Sequence, residues 1–244
     1  MSIVIPAYNE AKRIGPTLRA VATWLASQDF GSEIIVVDNA SEDETVPMVY
    51  GLMGEIASLR LLEERRRGKG YAVQAGMMAA KGEICLFMDA DNATSIDHFQ
   101  GMRKWFKEGY DIVIGSLGVP GSVMMLDAAE PLWRIVMGKM GNLWIQLLAV
   151  PGIWDTQRGF KAFTARAVNE IFPRLTIFGW GFDIEVLAIA RARGFKIIEV
   201  PVTWRHDPNS RVGVLAYPIT LLDTLRVLLN RMCNRYRRRE PPCP

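Results

Sequence analysis

Short apolar runs alternate with amphipathic stretches through the first half of the chain. Ser2 to Pro6 reads as a strand, Glu10 to Gln28 as an amphipathic helix and Glu33 to Asp38 as a second strand. Ser41 to Ala57 follows as a helix, with Ser41 and Glu44 at the spacing of a capping box. The pattern then predicts a third strand over Ser58 to Leu62, an Ala- and Gly-rich helix over Lys69 to Lys81, and a fourth strand over Glu83 to Met88. A helix over Ser95 to Glu108 and a fifth strand over Asp111 to Ile114 complete this half. The strands are continuously apolar, as in strands covered on both faces. With helices between them, they predict an α/β fold built on a mostly parallel sheet with helices on both faces.

The second half reads differently. Residues 120–154 are rich in Met, Leu and Trp, punctuated by Pro120, Pro131 and Pro151, with a helix expected between Glu130 and Ala149. Phe160 to Phe163 has the composition of a short strand. Phe182 to Arg193 reads as a helix closed by Gly194, and Phe195 to Thr203 as a strand. A final helix is expected from Leu215 to about Arg235. Its stripe of Leu215, Ile219, Leu222, Leu225, Leu228 and Leu229 fits either core packing or an amphipathic helix lying in the plane of a membrane.

The 244 residues, half of them hydrophobic, suffice for one sizeable core, and no repeat or linker divides them. The expected organisation is one domain over residues 1–230 and a basic tail over 231–244. Net charge is +3, yet Arg226, Arg231, Arg235, Arg237, Arg238 and Arg239 supply six positive charges with no acid between 226 and 239, so the remainder carries 3 − 6 = −3. A basic tail behind an apolar helix suits an anionic surface or is simply a solvated terminus. Strand-like residues from Ser2 predict no signal peptide, and no stretch reaches the roughly 18 apolar residues of a membrane span. Cys85, Cys233 and Cys243 form no disulfide or metal pattern, and His98 and His206 lack ligand spacing. The expectation is a protein of the reducing, cytoplasmic side, peripheral on the cytoplasmic membrane face and without a nucleic-acid partner.

Candidate chemistry lies where the strands stop. In a parallel α/β sheet, ligands bind at the carboxyl ends of the strands. The first strand ends in Pro6-Ala7-Tyr8-Asn9-Glu10, the second at Asp38, and the fourth at Asp89-Ala90-Asp91. Residues i and i+2 of a strand point the same way, so Asp89 and Asp91 converge. Like charges that close raise each other's pKa unless a cation lies between them. An oxygen-only pair favours Mg²⁺ or Mn²⁺, with the remaining ligands coming from water and a nucleoside diphosphate.

The ordered set "VIPAYNE", "VVDNASED", "RGKGYAVQAGMMAAKGE", "MDADNATS" and "DTQRGFKAF" resembles the family 2 glycosyltransferases, which have the GT-A fold. Within that family it is most similar to the polyprenyl-phosphate branch, which contains dolichyl-phosphate β-glucosyltransferases and bacterial polyprenyl-phosphate glycosyltransferases. "DTQRGFK" and "WGFDIEVLAIA" carry this narrower likeness. The resemblance implies a nucleotide-binding half over 1–117 and an acceptor-side half over 118–230. It implies nucleotide-sugar contacts at Pro6, Ala7, Tyr8, Glu10, Asp38, Lys69, Asp89 and Ala90, with Asp38 accepting from the base. It also implies a metal at Asp89 and Asp91, and catalytic roles for Asp91 and for Asp155 as base or acceptor-orienting carboxylate. Relatives carry Arg where this chain has Leu117, so phosphate charge falls to other cations, with Arg134, Arg158, Lys161, Arg205 and Arg211 as candidates. Asp183 and Glu185 are read either as support for the site or as helix-dipole partners. The implied reaction is inverting, metal-dependent transfer of a sugar, glucose by resemblance, from UDP-sugar to a polyprenyl phosphate. A soluble sugar or glycan acceptor, and a nucleotide-sugar-binding protein without catalysis, are the alternatives. Absence of G-x-G-x-x-G after the first strand argues against a dinucleotide oxidoreductase.

Overall fold

The computed structural model describes residues 1–125, 132–205 and 216–237. The first half alternates β1 (Ser2–Ala7), α1 (Ile14–Ala26), β2 (Glu33–Asp38), α2 (Thr45–Met53), β3 (Leu59–Glu63), α3 (Lys69–Ala79), β4 (Ile84–Met88), α4 (Phe99–Lys107) and β5 (Ile112–Ser116). Then come β6 (Val123–Met125), α5 (Leu132–Leu148), β7 (Phe160–Thr164), α6 (Ala165–Ile171), α7 (Phe182–Ala192), β8 (Ile197–Pro201), β9 (Thr203–Arg205) and α8 (Ala216–Met232). Seven strands form one sheet in the order β3-β2-β1-β4-β7-β5-β8, and β6 pairs with β9 apart from it. β7 runs antiparallel to both neighbours, with Phe87 opposite Lys161 on one side and Ile114 opposite Lys161 on the other. The other pairings in the large sheet are parallel.

Successive strand residues feed opposite faces. Val4, Val37, Phe87, Ile114 and Phe163 meet helices α3, α6 and α7 on one side, while Ile3, Ile5, Val36, Leu86 and Phe160 meet α1, α2 and α4 on the other. The expected two-sided burial therefore holds. Gly76 explains how α3 comes so close: a β-carbon there would overlap the side chains of Val4 and Val37.

Several expectations need correction. α2 begins at Thr45, not Ser41, because Ser41 is occupied elsewhere: its Oγ accepts from Asn9 N–H at 2.9 Å. The helix expected from Ser95 opens with a 3₁₀ turn over Ile96–His98. The fold also runs past residue 230. α8 continues to Met232, and Tyr236 in the following 3₁₀ turn is buried against Glu185, its hydroxyl donating at 2.9 Å. Of the two arrangements open to the α8 stripe, core packing does not hold for most of it. The inward residues of α8 include Thr220, Asp223, Thr224, Val227 and Asn230, while Ile219, Leu222, Leu225, Leu229 and Met232 face outward. α5 packs beside it and exposes Met140, Leu143, Trp144 and Leu147. Leu215 lies outside the described residues.

Candidate active site

The carboxyl ends of β1, β2 and β4 share one rim, as the parallel pairings require. The loop after β1 is locked to the loop after β2. Glu10 N–H donates to Thr45 Oγ1 at 2.7 Å, and Glu42 N–H donates to Asn9 Oδ1 at 2.7 Å. Pro6 and Ala7 are buried in the strand end, and Tyr8 is partly exposed beneath the Arg67 guanidinium. Glu10 accepts from Arg13 Nε at 2.6 Å, and Arg13 Nη1 also lies 4.0 Å from Asp91 Oδ2. Arg13 thus joins the first loop to the acid pair. It went unread in the sequence because nothing in "NEAKRI" marks which base turns toward a strand end far along the chain.

Asp38 is buried. Its Oδ2 accepts from Ser41 N–H at 3.1 Å, whereas Oδ1 has no partner among the described residues. A buried acceptor left unpaired is costly and calls for a donor from a ligand. Next to it, Asn39 organises the loop that leads into α3. Its amide donates to the carbonyls of Glu64 and Arg66, and its Oδ1 accepts from Gly68 N–H at 2.8 Å. Tyr71 stacks on Phe178 at 3.8 Å, closing this loop against the segment before α7.

Lys69, at the start of α3, puts Nζ 2.6 Å from Asp89 Oδ1. Burial works against its ammonium, but Asp89, Asp183 and Asp91 together hold its pKa above the ordinary lysine value. Asp91 shows the opposite strain. Burial first, then the charge of Asp89, push its carboxyl upward, against Ala93 N–H, Arg13 and Lys69. Ala90 is fixed by its carbonyl, which accepts from Thr17 Oγ1 at 2.7 Å. The two carboxylates therefore oppose each other's charge and are only partly neutralised by Lys69 and Arg13, which fits a divalent cation. Among the described residues no group of three or more His, Cys, Asp or Glu could hold one. Asp89 and Asp91 would be its protein ligands, and water and phosphate would supply the rest, the usual manner of Mg²⁺.

Gly159 was quoted in the sequence without a role, and the structure supplies one. A β-carbon there would overlap the Asp89 carboxylate, and Gly159 C=O accepts from Asp89 N–H at 3.1 Å. We expect Gly159→Ala to lower kcat by about 10²-fold, the scale of a misplacement near 1 Å, with little change in Tm. Unaltered turnover would mean that Asp89 need not sit where it does.

The acceptor-side residues divide. Asp155 Oδ2 accepts from Leu117 N–H at 2.9 Å and from Arg158 Nε at 3.2 Å. The position that lacks the family's arginine thus contributes a backbone donor to Asp155. The segment before it is held by Glu199, whose carboxylate accepts from Trp154 N–H at 2.8 Å and Asp155 N–H at 2.9 Å, a contact no sequence spacing announced. Arg158 lies over the Trp204 ring. Arg205 N–H donates to Ala93 C=O at 2.8 Å, which ties β9 to the Asp91 turn. Lys161 does not reach this rim. It is fully buried, its Nζ 2.6 Å from Asp183 Oδ1 and also donating to Arg158 C=O. Burial lowers the pKa of Lys161 and raises that of Asp183, each resisted by the other's charge. Glu185, also buried, accepts from Thr176 and Ile177 N–H, both at 2.7 Å, and from the Tyr236 hydroxyl. Glu185 is therefore an internal fastener of α7, whereas Asp183 is buried directly behind the rim, acting on Lys161 and on Lys69. Arg211 lies outside the described residues, as does the Arg134 side chain.

Residues 2–168 match the family model for glycosyl transferase family 2. A dolichyl-phosphate beta-glucosyltransferase of Trichomonas vaginalis is 37% identical over 238 residues, covering 93% of this chain and 70% of that protein. One from Dictyostelium discoideum is 34% identical over 240 residues (93% and 73%), and one from Homo sapiens 30% over 224 residues (87% and 69%). Among solved structures, glucosyl-3-phosphoglycerate synthase of Mycobacterium tuberculosis, crystallised with Mn²⁺, UDP-glucose and glycerol 3-phosphate, superposes with a TM-score of 0.65 at 19% identity, covering 94% of this chain and 79% of that one. That likeness establishes the GT-A fold.

Proposed function

The chain belongs to glycosyl transferase family 2, and on that premise we propose that it moves glucose from UDP-glucose to a dolichyl-type polyprenyl phosphate, with inversion at the anomeric carbon. The observation that carries this is the polarity of the rim. At one end the buried Asp38 Oδ1 has no partner among the described residues, and at the other burial and the charge of Asp89 push the Asp91 carboxyl upward despite Lys69 and Arg13. A uracil N–H answers the first, and a metal-bound diphosphate the second. The Mn²⁺ and UDP-glucose held by the fold neighbour support the same donor and cofactor type. When bound at Asp89 and Asp91, Mg²⁺ or Mn²⁺ supplies Lewis-acid stabilisation of the departing diphosphate.

This chain's own residues do the rest. Lys69 and Arg13 are the fixed cations beside the diphosphate end of the rim. Asp155, held by Leu117 N–H and Arg158, orients the acceptor. A phosphate monoester, with its second pKa near 6, is already mostly ionised at pH 7 and needs no strong base to attack. The cations Arg158 and Arg205 then meet the acceptor's charge. Asp38→Ala should raise the donor KM and weaken UDP binding about ten-fold by calorimetry, the scale of a lost hydrogen bond to a charged group, with kcat nearly unchanged. Unaltered UDP affinity would refute the base contact.

The acceptor's tail cannot leave a bilayer cheaply, so the protein must approach the lipid. Among the described residues no helix is long and apolar enough to cross a membrane. The outward stripe of α8, the exposed face of α5 and the arginines from Arg226 onward support a peripheral attachment, an apolar face joined to a basic cluster. The free thiols Cys85 and Cys233 suit the cytoplasmic side. Because Tyr236 belongs to the core, the surface is best probed by substitution rather than truncation. Leu222→Glu with Leu229→Glu should reduce flotation with anionic vesicles by about ten-fold or more, and raised salt should weaken wild-type binding. The reaction itself is tested by UDP release from a nucleotide-sugar panel, with and without polyprenyl phosphate. Release driven by soluble sugars instead would favour the glycan-acceptor reading, and no turnover with any donor would sink the enzyme assignment.

A further inference from the structure

Away from the donor rim, the ends of α5, α7 and α8 enclose a concavity of about 410 Å³. It lies near the C-terminal end of α7, whereas Asp183 at the N-terminal end of that helix faces Lys161 and Lys69. Eight residues separate Asp183 from Arg191, roughly 12 Å along the axis. The floor is made of small or flat groups, Ala149, Ala188 and the Tyr236 ring, and the wall carries three arginines, Arg191, Arg231 and Arg237, with Asn234. No acid lines it.

The charges are only lightly answered. Arg231 Nη1 donates to Ala149 C=O at 2.8 Å, which satisfies one carbonyl at the end of α5. The Arg191 guanidinium makes no hydrogen bond or ion pair among the described residues. Burial, and then the neighbouring Arg231, hold its pKa below the ordinary arginine value, and Glu199 offsets this in part. Glu199, however, is engaged by the N–H groups of Trp154 and Asp155. Two guanidiniums that repel each other in a concavity with no acid among its described lining residues are arranged for an anion, and the planar donors of Arg suit the oxygens of phosphate.

The surroundings indicate where that phosphate comes from. Leu147, 69% exposed, precedes the wall on α5, and Met232, 70% exposed, follows Arg231 on α8. The concavity thus borders the apolar face already described. We propose that this three-arginine concavity binds the phosphate headgroup of an anionic membrane lipid, a site separate from the donor rim and from the reacting acceptor. The proposal relies on the transfer reading only for bringing the protein to a membrane. Occupancy would clamp the ends of α5, α7 and α8 together and fix the depth at which the apolar face sits in the lipid.

The test is flotation with neutral vesicles doped with phosphatidic acid, compared with vesicles made equally anionic with oleate, which has no phosphate. Wild type should prefer the phosphatidic acid vesicles. Arg191→Gln should lose that preference, with binding falling roughly five-fold or more, while Arg103→Gln, an equal charge change on α4, should keep it. Turnover of a short water-soluble acceptor phosphate should be unchanged in Arg191→Gln; loss of vesicle preference with turnover intact separates this site from the reaction. Preference retained in Arg191→Gln overturns the proposal. Should inorganic phosphate raise the Tm of wild type but not of Arg191→Gln, while neither protein discriminates between the vesicles, the lipid source is overturned and the concavity is a soluble-phosphate site.

Discussion

Asp91→Asn should lower kcat/KM by at least 10³-fold, about 4 kcal/mol of transition-state stabilisation, while the protein remains as stable as wild type or slightly more so. Both halves follow from the geometry. Asp91 sits past the end of β4, partly exposed, with its carboxyl pushed upward by burial and by Asp89. Removing its charge relieves a repulsion and removes no packing, because the amide is nearly isosteric. It also takes away half of the carboxylate pair at the rim, so cation binding, and with it diphosphate departure, should fail. Turnover near wild type with Mg²⁺ or Mn²⁺ would refute the acid pair as the metal site. A large fall in Tm would instead make Asp91 structural.

Lys161→Met should produce the largest loss of stability. Lys161 and Asp183 are both buried, 2.6 Å apart, and Lys161 also donates to Arg158 C=O. Methionine leaves the Asp183 carboxylate enclosed without its cation. Breaking a buried pair from one side costs about 3–5 kcal/mol, which in a chain of this size lowers Tm by about 10 °C. The double variant Lys161→Met/Asp183→Leu should recover most of that loss, since removing both charges removes the desolvation cost with them. Calorimetry on the two proteins decides it. If the double variant is no more stable than the single, the pair contributes attraction beyond its desolvation cost, and the charge argument fails.

Much of the donor half was legible from the chain. Three acids at three strand ends need only the rule that a parallel sheet puts those ends on one side, and Asp38, Asp89 and Asp91 do meet there. What escaped notice was set by tertiary approach. Arg13 reaches Asp91 and Glu199 reaches the N–H groups of Trp154 and Asp155 across spacings that no local pattern encodes. Gly159 matters through the space it leaves, and absence of a side chain has no periodicity. Lys161 looks like a rim cation because it follows an arginine in a polar motif, yet β7 is buried on both faces and the side chain ends on Asp183 of α7. Strand direction was equally silent: a five-residue apolar run reads the same whether it runs up or down the sheet. α8 shows the matching limit for helices. Its leucine spacing marked a stripe, but spacing alone does not say which side of a stripe faces water.

The reversed strand β7 has one more consequence. Because it lies antiparallel between β4 and β5, the chain leaves the sheet at Ser116 and returns at Phe160 on the same rim, next to where it departed. Residues 117–159, which include α5 and Asp155, therefore form a closed excursion whose two ends are neighbours. Its length and composition can change without shifting the register of the seven-stranded sheet. On the proposed reading the nucleotide side belongs to the frame and the acceptor side to this insert, so the same frame could be refitted for a different acceptor by replacing one contiguous stretch of sequence.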